Sequence, residues 1–227
     1  MKRTITVLIS ILVLTSFLWG QPKANKESAT YSPVKQNGKW GYADAKGKIV
    51  IEPKFAKAGK FSEGLAAVKI DKKVGYIDLT GKMVIKPQFI QGNSFSNGLA
   101  AVRIDKDKKV GYIDNKGKIV IEPRFERAEN FSEDLAAVRI DKKQGFIDKT
   151  GQIVIKPEFE KARDFSCGFA AVKVNQKWGY VDKNGKYLIA PQFDAAADFS
   201  CGTARVVMGN KIGFIDQTGN CIWIPTE

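Results

Sequence analysis

A chain of 227 residues with no histidine has few carriers of chemistry. Without an imidazole there is no Ser-His-Asp triad, no Cys-His nucleophile pair and no His-containing zinc site. The cysteines are Cys167, Cys201 and Cys221, an odd number. Cys167 and Cys201 lie 34 residues apart, at positions where equivalent segments carry Glu63, Asn97 and Glu133. They are the candidates for a disulfide, which needs a Cα separation of about 4.4–6.8 Å. Cys221 takes the place of Ile49 and reads as a small apolar residue. No base is available to activate a thiolate, and the cysteine spacing matches no usual zinc pattern. Six aspartates recur in Asp-x-x-Gly at Asp44, Asp78, Asp114, Asp148, Asp182 and Asp216. Such a series reads as turn chemistry, because Asp at the first position and Gly at the fourth favour a type I turn. No catalytic residue, metal site or cofactor is expected, and the chain reads as non-catalytic; a hydrolase of unfamiliar type is the remote alternative.

The basic residues carry more promise. Lys and Arg number 37 against 24 Asp and Glu, a formal net charge of +13. Lys35, Lys69, Arg103, Arg139 and Lys173 share one repeated position. Lys39, Lys73, Lys109, Lys143, Lys177 and Lys211 share a second. Equivalent positions in stacked modules align, so these columns predict a positive stripe suited to an extended polyanion. Asp71, Asp105 and Asp141 stand beside them and offer partial balance, which is the pattern of a merely solvated edge.

The elements that must position these residues follow from the repeat. Trp40-Gly41-Tyr42, Val74-Gly75-Tyr76, Val110-Gly111-Tyr112, Gln144-Gly145-Phe146, Trp178-Gly179-Tyr180 and Ile212-Gly213-Phe214 are copies of one element, with glycines 34, 36, 34, 34 and 34 residues apart. A fixed period of that length marks an array of supersecondary units. Each copy predicts three short strands, typified by Leu65 to Ile70, Val74 to Ile77 and Lys82 to Ile85. The Asp-x-x-Gly turn joins the second to the third, and a proline such as Pro87 is expected to end the third. Between copies runs a linker, Pro-x-Phe-x-x-Ala-x-x-Phe-Ser-x-Gly in its Pro157–Gly168 form, whose two phenylalanines are expected to plug the seam between neighbours. Part of this linker is a candidate fourth strand that periodicity leaves undecided. Tyr76 and Ile77 point to opposite faces of their strand, so a single hairpin cannot bury both. Stacking against two neighbours must supply the core. The tryptophans, Trp40 and Trp178 among them, read as core residues.

Residues 1–20 read as an address. Lys2 and Arg3 precede an apolar run from Ile5 to Trp19, the pattern of a secretory signal or an uncleaved anchor. Residues 21–30 read as a polar spacer, and 31–227 as the repeat domain.

The residues of the repeat resemble the tryptophan-glycine (WG, or KWG) repeat family. The carriers are Lys39-Trp40-Gly41-Tyr42, Lys177-Trp178-Gly179-Tyr180, the Asp-x-x-Gly-Lys turn, the Ile-x-Pro segment and Phe-Ser-x-Gly-Leu-Ala-Ala-Val. Val74, Val110, Gln144 and Ile212 depart from the family's tryptophan. The resemblance implies an exported or envelope-associated β-repeat with no shared catalytic residue. The expected fold is all-β: a tandem array of six three-stranded antiparallel units in an open, curved stack, with a closed six-unit ring as the alternative. The expected function is binding another envelope or surface component, a protein partner. The alternative is electrostatic binding of acidic glycans or anionic lipid headgroups. Nucleic acid is the least expected polyanion, because no recognition motif interleaves aromatics with the basic residues.

Overall fold

The computed structural model describes residues 31–104, 108–200 and 202–223. The leader at 1–20, the spacer at 21–30, Asp105 and Cys201 lie outside them. Six antiparallel sheets follow one another along the described chain, and no helix occurs. Unit 2 shows the plan. Leu65–Ile70 pairs with Lys73–Asp78, which pairs with Met83–Phe89. The linker contributes a short strand, Lys57–Ala58, paired with Lys69 and Val68. Units 2 to 6 are therefore four-stranded, and unit 1 has three strands. Four strands fit a period of about 34 residues because the fourth is only two residues long.

The third strand does not end at its proline. Met83–Phe89 runs through Pro87 to Phe89. Its register against the second strand slips, Val74 opposing Phe89 and Tyr76 opposing Ile85, so two residues face four. The proline sits in this bulge, where no ladder hydrogen bond is missing a donor. The same slip recurs at Pro53, Pro123, Pro157 and Pro191. It folds the third strand over the glycine of the second. A Cβ on Gly111 would lie 2.4 Å from the Ile121 carbonyl oxygen and 2.7 Å from the Pro123 nitrogen. The glycine is demanded by close backbone approach rather than by its dihedral angles.

The core is divided among the seams. Five apolar clusters each join one unit to the next. Tyr42, Ile51 and Phe55 of unit 1 pack with Ala66, Val68 and Ile77 of unit 2. Tyr76, Ile85 and Phe89 of unit 2 pack with Phe95, Ala100, Val102 and Ile113 of unit 3. Tyr76 thus faces forward and Ile77 backward, as the strand alternation requires. The second linker phenylalanine meets the forward aromatic at every seam. Ring centroids are 4.7 Å apart for Tyr42–Phe61, 5.0 Å for Tyr76–Phe95, 4.9 Å for Tyr112–Phe131, 4.7 Å for Phe146–Phe165 and 5.1 Å for Tyr180–Phe199. Tilted and edge-on pairs of this kind add to the area they bury.

Polar groups in the seam are matched as regularly. The hydroxyls of Tyr42, Tyr76, Tyr112 and Tyr180 donate to the carbonyls of Gly59, Asn93, Glu129 and Ala197. Unit 4 has Phe146 instead, and there Gln144, at the tryptophan position, accepts a hydrogen bond from the Ala162 amide at 2.8 Å. Ser62, Ser96, Ser132 and Ser166 donate across the seam to the carbonyls of Phe95, Phe131, Phe165 and Phe199. The residue after each serine reaches forward too. Glu63, Asn97 and Glu133 accept from the amides of Gly98, Asp134 and Gly168.

Among the described residues nothing covers the two end faces of the array. Val34 is half-buried, whereas Val68, Val102, Val138, Val172 and Val206 are at most 1% exposed. Phe214 is 40% exposed, whereas Tyr42, Tyr76, Tyr112, Phe146 and Tyr180 are fully buried. Among the described residues no apolar cluster joins unit 6 to unit 1. The stack is open.

Candidate functional site

The two ends of the sheets differ in chemistry. One end carries the Asp-x-x-Gly turns. In each, the aspartate Oδ1 accepts the backbone amides two and four residues on, as Asp114 does from Lys116 and Lys118 at 2.9 Å. The Gly amide closes the turn on the Asp carbonyl, with φ between +80° and +90° at all six glycines. Where a threonine follows, its hydroxyl adds a further bond. The Thr150 hydroxyl beside Asp148 holds that carboxyl below the usual range against an opposing desolvation, with the Gln152, Thr150 and Gly151 amides adding to the lowering. These carboxylates have their acceptor oxygens occupied by their own turns, which is poor provision for a general acid or base. Among the described residues no cluster of three or more His, Cys, Asp or Glu is arranged to hold a metal ion. Cys167 is an exposed free thiol in the serine-adjacent turn, and its suggested partner Cys201 lies outside the described residues.

The opposite end carries the hairpin turns and most of the cations named above. Asn37-Gly38, Asp71-Lys72, Asp141-Lys142 and Asn175-Gln176 all have positive φ at both residues, the geometry of two-residue type I′ hairpins. The first cation column lies on the first long strand. Lys35, Lys69, Arg103, Arg139 and Lys173 occupy one register position, and Val207 breaks the series in unit 6. The second column, Lys39, Lys73, Lys109, Lys143, Lys177 and Lys211, stands at the start of the second strand. Lys177 is ion-paired with Asp194. Among the described residues the other five make no ion pair, and neither Asp71 nor Asp141 pairs with a column cation.

The short linker strand adds residues that the repeat analysis missed. Lys57 stands directly opposite Lys69, Arg127 opposite Arg139, and Lys161 opposite Lys173. Gln91 faces Arg103 in unit 3. The signal was available, since each added cation lies two residues after a linker phenylalanine. It had no meaning until the strand pairing was known. Like charges directly opposite across strands are unfavourable. In unit 4 the cost is offset in part: Arg127 Nε lies 2.6 Å from Glu129 and Arg139 Nε 3.5 Å from Glu126. Lys57, Lys69, Lys161 and Lys173 have no such partner among the described residues.

These pairs flank clefts at three successive seams. The cleft between units 2 and 3, about 480 Å³, is lined by Lys57, Lys69, Gln91 and Asn93. That between units 3 and 4, about 410 Å³, is lined by Arg103, Arg127, Arg139 and the carboxylates of Glu126 and Glu129. That between units 4 and 5, about 360 Å³, adds Lys161, Arg163 and Trp178. Arg103 Nε is buried with no hydrogen-bond partner, an unfavourable state for a charged donor. Arg163 stacks over Trp178, 5.5 Å from the ring centre. The structure therefore brings Lys69, Arg103 and Arg139 to seam clefts, sets Lys35 over Trp40 at 5.9 Å, and leaves the second column lining none of the three clefts.

Solved structures with this arrangement of sheets are β-propeller-like. A eukaryotic initiation factor aligns with a TM-score of 0.57 at 12% identity, over 86% of this chain and 62% of its own. Hsv2p of Kluyveromyces lactis aligns with a TM-score of 0.55 at 10% identity, over 88% and 82%. A virginiamycin B lyase from Staphylococcus aureus aligns at 15% identity over 89% and 86%, with a TM-score of 0.47. At such identities the likeness to the first two speaks for fold and not for activity. No match to a curated protein sequence was found. The family model described as "WG containing repeat" matches five times, at residues 40–73, 75–107, 111–143, 145–178 and 178–211. With most of its length covered by these copies and the same plan repeated in its sheets, the chain belongs to the WG-repeat family.

Proposed function

We propose that the chain is a non-catalytic, exported binding array whose cationic seam clefts hold an extended acidic polymer or an anionic surface. The observation that carries this reading is the repetition of directly opposed cations, Lys57–Lys69, Arg127–Arg139 and Lys161–Lys173, beside the clefts. A purely structural sheet gains nothing from such pairs, whereas an anion laid along the seams relieves each one and reaches the unpaired Arg103 donor. Export rests on Lys2, Arg3 and the apolar run that follows. The absence of histidine and the turn-bound aspartates support a non-catalytic role. An envelope protein partner is the second reading, favoured by Trp178 and the carboxylates of Glu126, Glu129 and Glu160 that line two of the clefts.

The test is binding of the purified chain to an acidic polysaccharide and, separately, to vesicles containing phosphatidylglycerol, across a range of salt. The two arms distinguish a glycan from a lipid surface. Affinity in one arm should fall steeply as salt rises, because exposed charges are screened over roughly 10 Å at 0.1 M. Replacing Lys57, Arg127 and Lys161 together by alanine should weaken that binding about a hundredfold at low salt, at about 1 kcal/mol for each basic residue at an anionic surface. Binding indifferent to salt and to these substitutions, or no binding in either arm, would overturn the electrostatic reading.

A further inference from the structure

The third strand of each unit forms one edge of its sheet, the edge away from the short cationic strand. That edge carries exposed apolar side chains. Val50, Val84, Val120 and Val154 occupy one equivalent position and are 38%, 44%, 44% and 43% exposed. An open strand edge with a row of β-branched side chains is a surface that other chains can cover. Two residues further along each strand stand Glu52, Lys86, Glu122 and Lys156, all exposed. None of the four is ion-paired among the described residues.

The sign of this row alternates from unit to unit, so reading it backwards gives the opposite charge at every place. We propose that this edge is an isologous interface between two copies of the chain. A twofold axis parallel to the strands, passing between units 2 and 3, sets Lys86 against Glu122 of the second copy twice, and Glu52 and Lys156 of the flanking units extend the same charge complementarity at longer range in a propeller-like array. Val84 meets Val120 beside the axis. A same-direction alignment in register would oppose Glu to Glu and Lys to Lys, so charge selects the twofold arrangement. The interface lies on the opposite sheet edge from the seam clefts, and loss of polyanion binding would leave it standing.

Sedimentation equilibrium of the purified full chain tests it. A concentration-dependent monomer–dimer equilibrium is expected. Glu122→Lys places lysine against Lys86 twice in each dimer and should weaken association by at least about tenfold. Lys86→Glu combined with Glu122→Lys restores opposite charges and should restore the dimer. Both substitutions are on exposed side chains, and unchanged circular dichroism will show that the fold is kept. Independently, in chains whose three native cysteines are replaced by serine, mixing a Val84→Cys chain with a Val120→Cys chain should give a covalent dimer on oxidation that the cysteine-free background does not form. A chain that stays monomeric at every concentration would overturn the proposal. So would a dimer indifferent to Glu122→Lys in which the added cysteines fail to crosslink.

Discussion

Replacing Gly111 by alanine will destabilise the array by about 3 kcal/mol or more, among the larger effects a single methyl group can have. The cause is steric and local. The new Cβ would stand 2.4 Å from the Ile121 carbonyl oxygen and within 3.0 Å of the Glu122 carbonyl carbon, and these are backbone atoms that no rotamer change can move. Either the bulge at Pro123 opens or the third strand leaves the second, and both expose Tyr112 and Phe125, which are fully buried. Gly38→Ala is the control. It has positive φ but nothing within 4 Å of its Cβ position, so it should cost only about 1 kcal/mol. Urea unfolding of both variants, followed by tryptophan fluorescence and circular dichroism, measures the contrast. Similar small losses for the two would show that the third strand can give way, contrary to the packing described.

Phe131→Ala should have the second-largest effect, and its form matters as much as its size. Phe131 is 1% exposed and belongs to the cluster joining units 3 and 4, where it packs on Tyr112. Removing a buried phenylalanine side chain costs about 3–5 kcal/mol. In a globule with one core, the whole transition would shift and stay single. Here the lost contacts are confined to one seam, while the clusters on either side keep their own residues. The expectation is that units 1–3 and 4–6 uncouple. The single transition should broaden or split, and hydrogen exchange should accelerate first in Val110–Ile113 and Ala136–Ile140, which face each other across the damaged seam. A sharp single transition with uniform exchange would contradict seam-by-seam stability.

Much of this was legible in the sequence because it depends on short-range pattern. The period came from the recurring glycine, the hairpins from Asp-x-x-Gly, and the division of each core from Tyr76 and Ile77 pointing to opposite faces. The phenylalanines read as seam residues because they lie in the linker between copies. What the sequence hid depends on pairing partners. A two-residue strand such as Lys57–Ala58 is too short to show alternation, so the cation opposite Lys69 was invisible until the register was known. Pro87 reads as a strand end because a proline cannot join a ladder. Only the bulge shows how the strand passes through it to Phe89. The bonds from the Ser96 hydroxyl to the Phe131 carbonyl and from the Asp134 amide to Asn97 Oδ1 span 35 and 37 residues, and nothing local announces them. The open stack is the arrangement expected from the repeat, with the closed ring as its alternative, and the structure bears it out. It is read from Val34 and Phe214, which have the right residue types for a seam but no facing unit.

The most direct measurement is unfolding free energy as a function of the number of units, in chains cut at the linkers to contain one to six of them. If adjacent units supply each other's core, a single unit will be unfolded in water, and stability will then climb by a similar amount with every seam added. A lone unit that gives a cooperative transition and dispersed amide resonances would contradict the account.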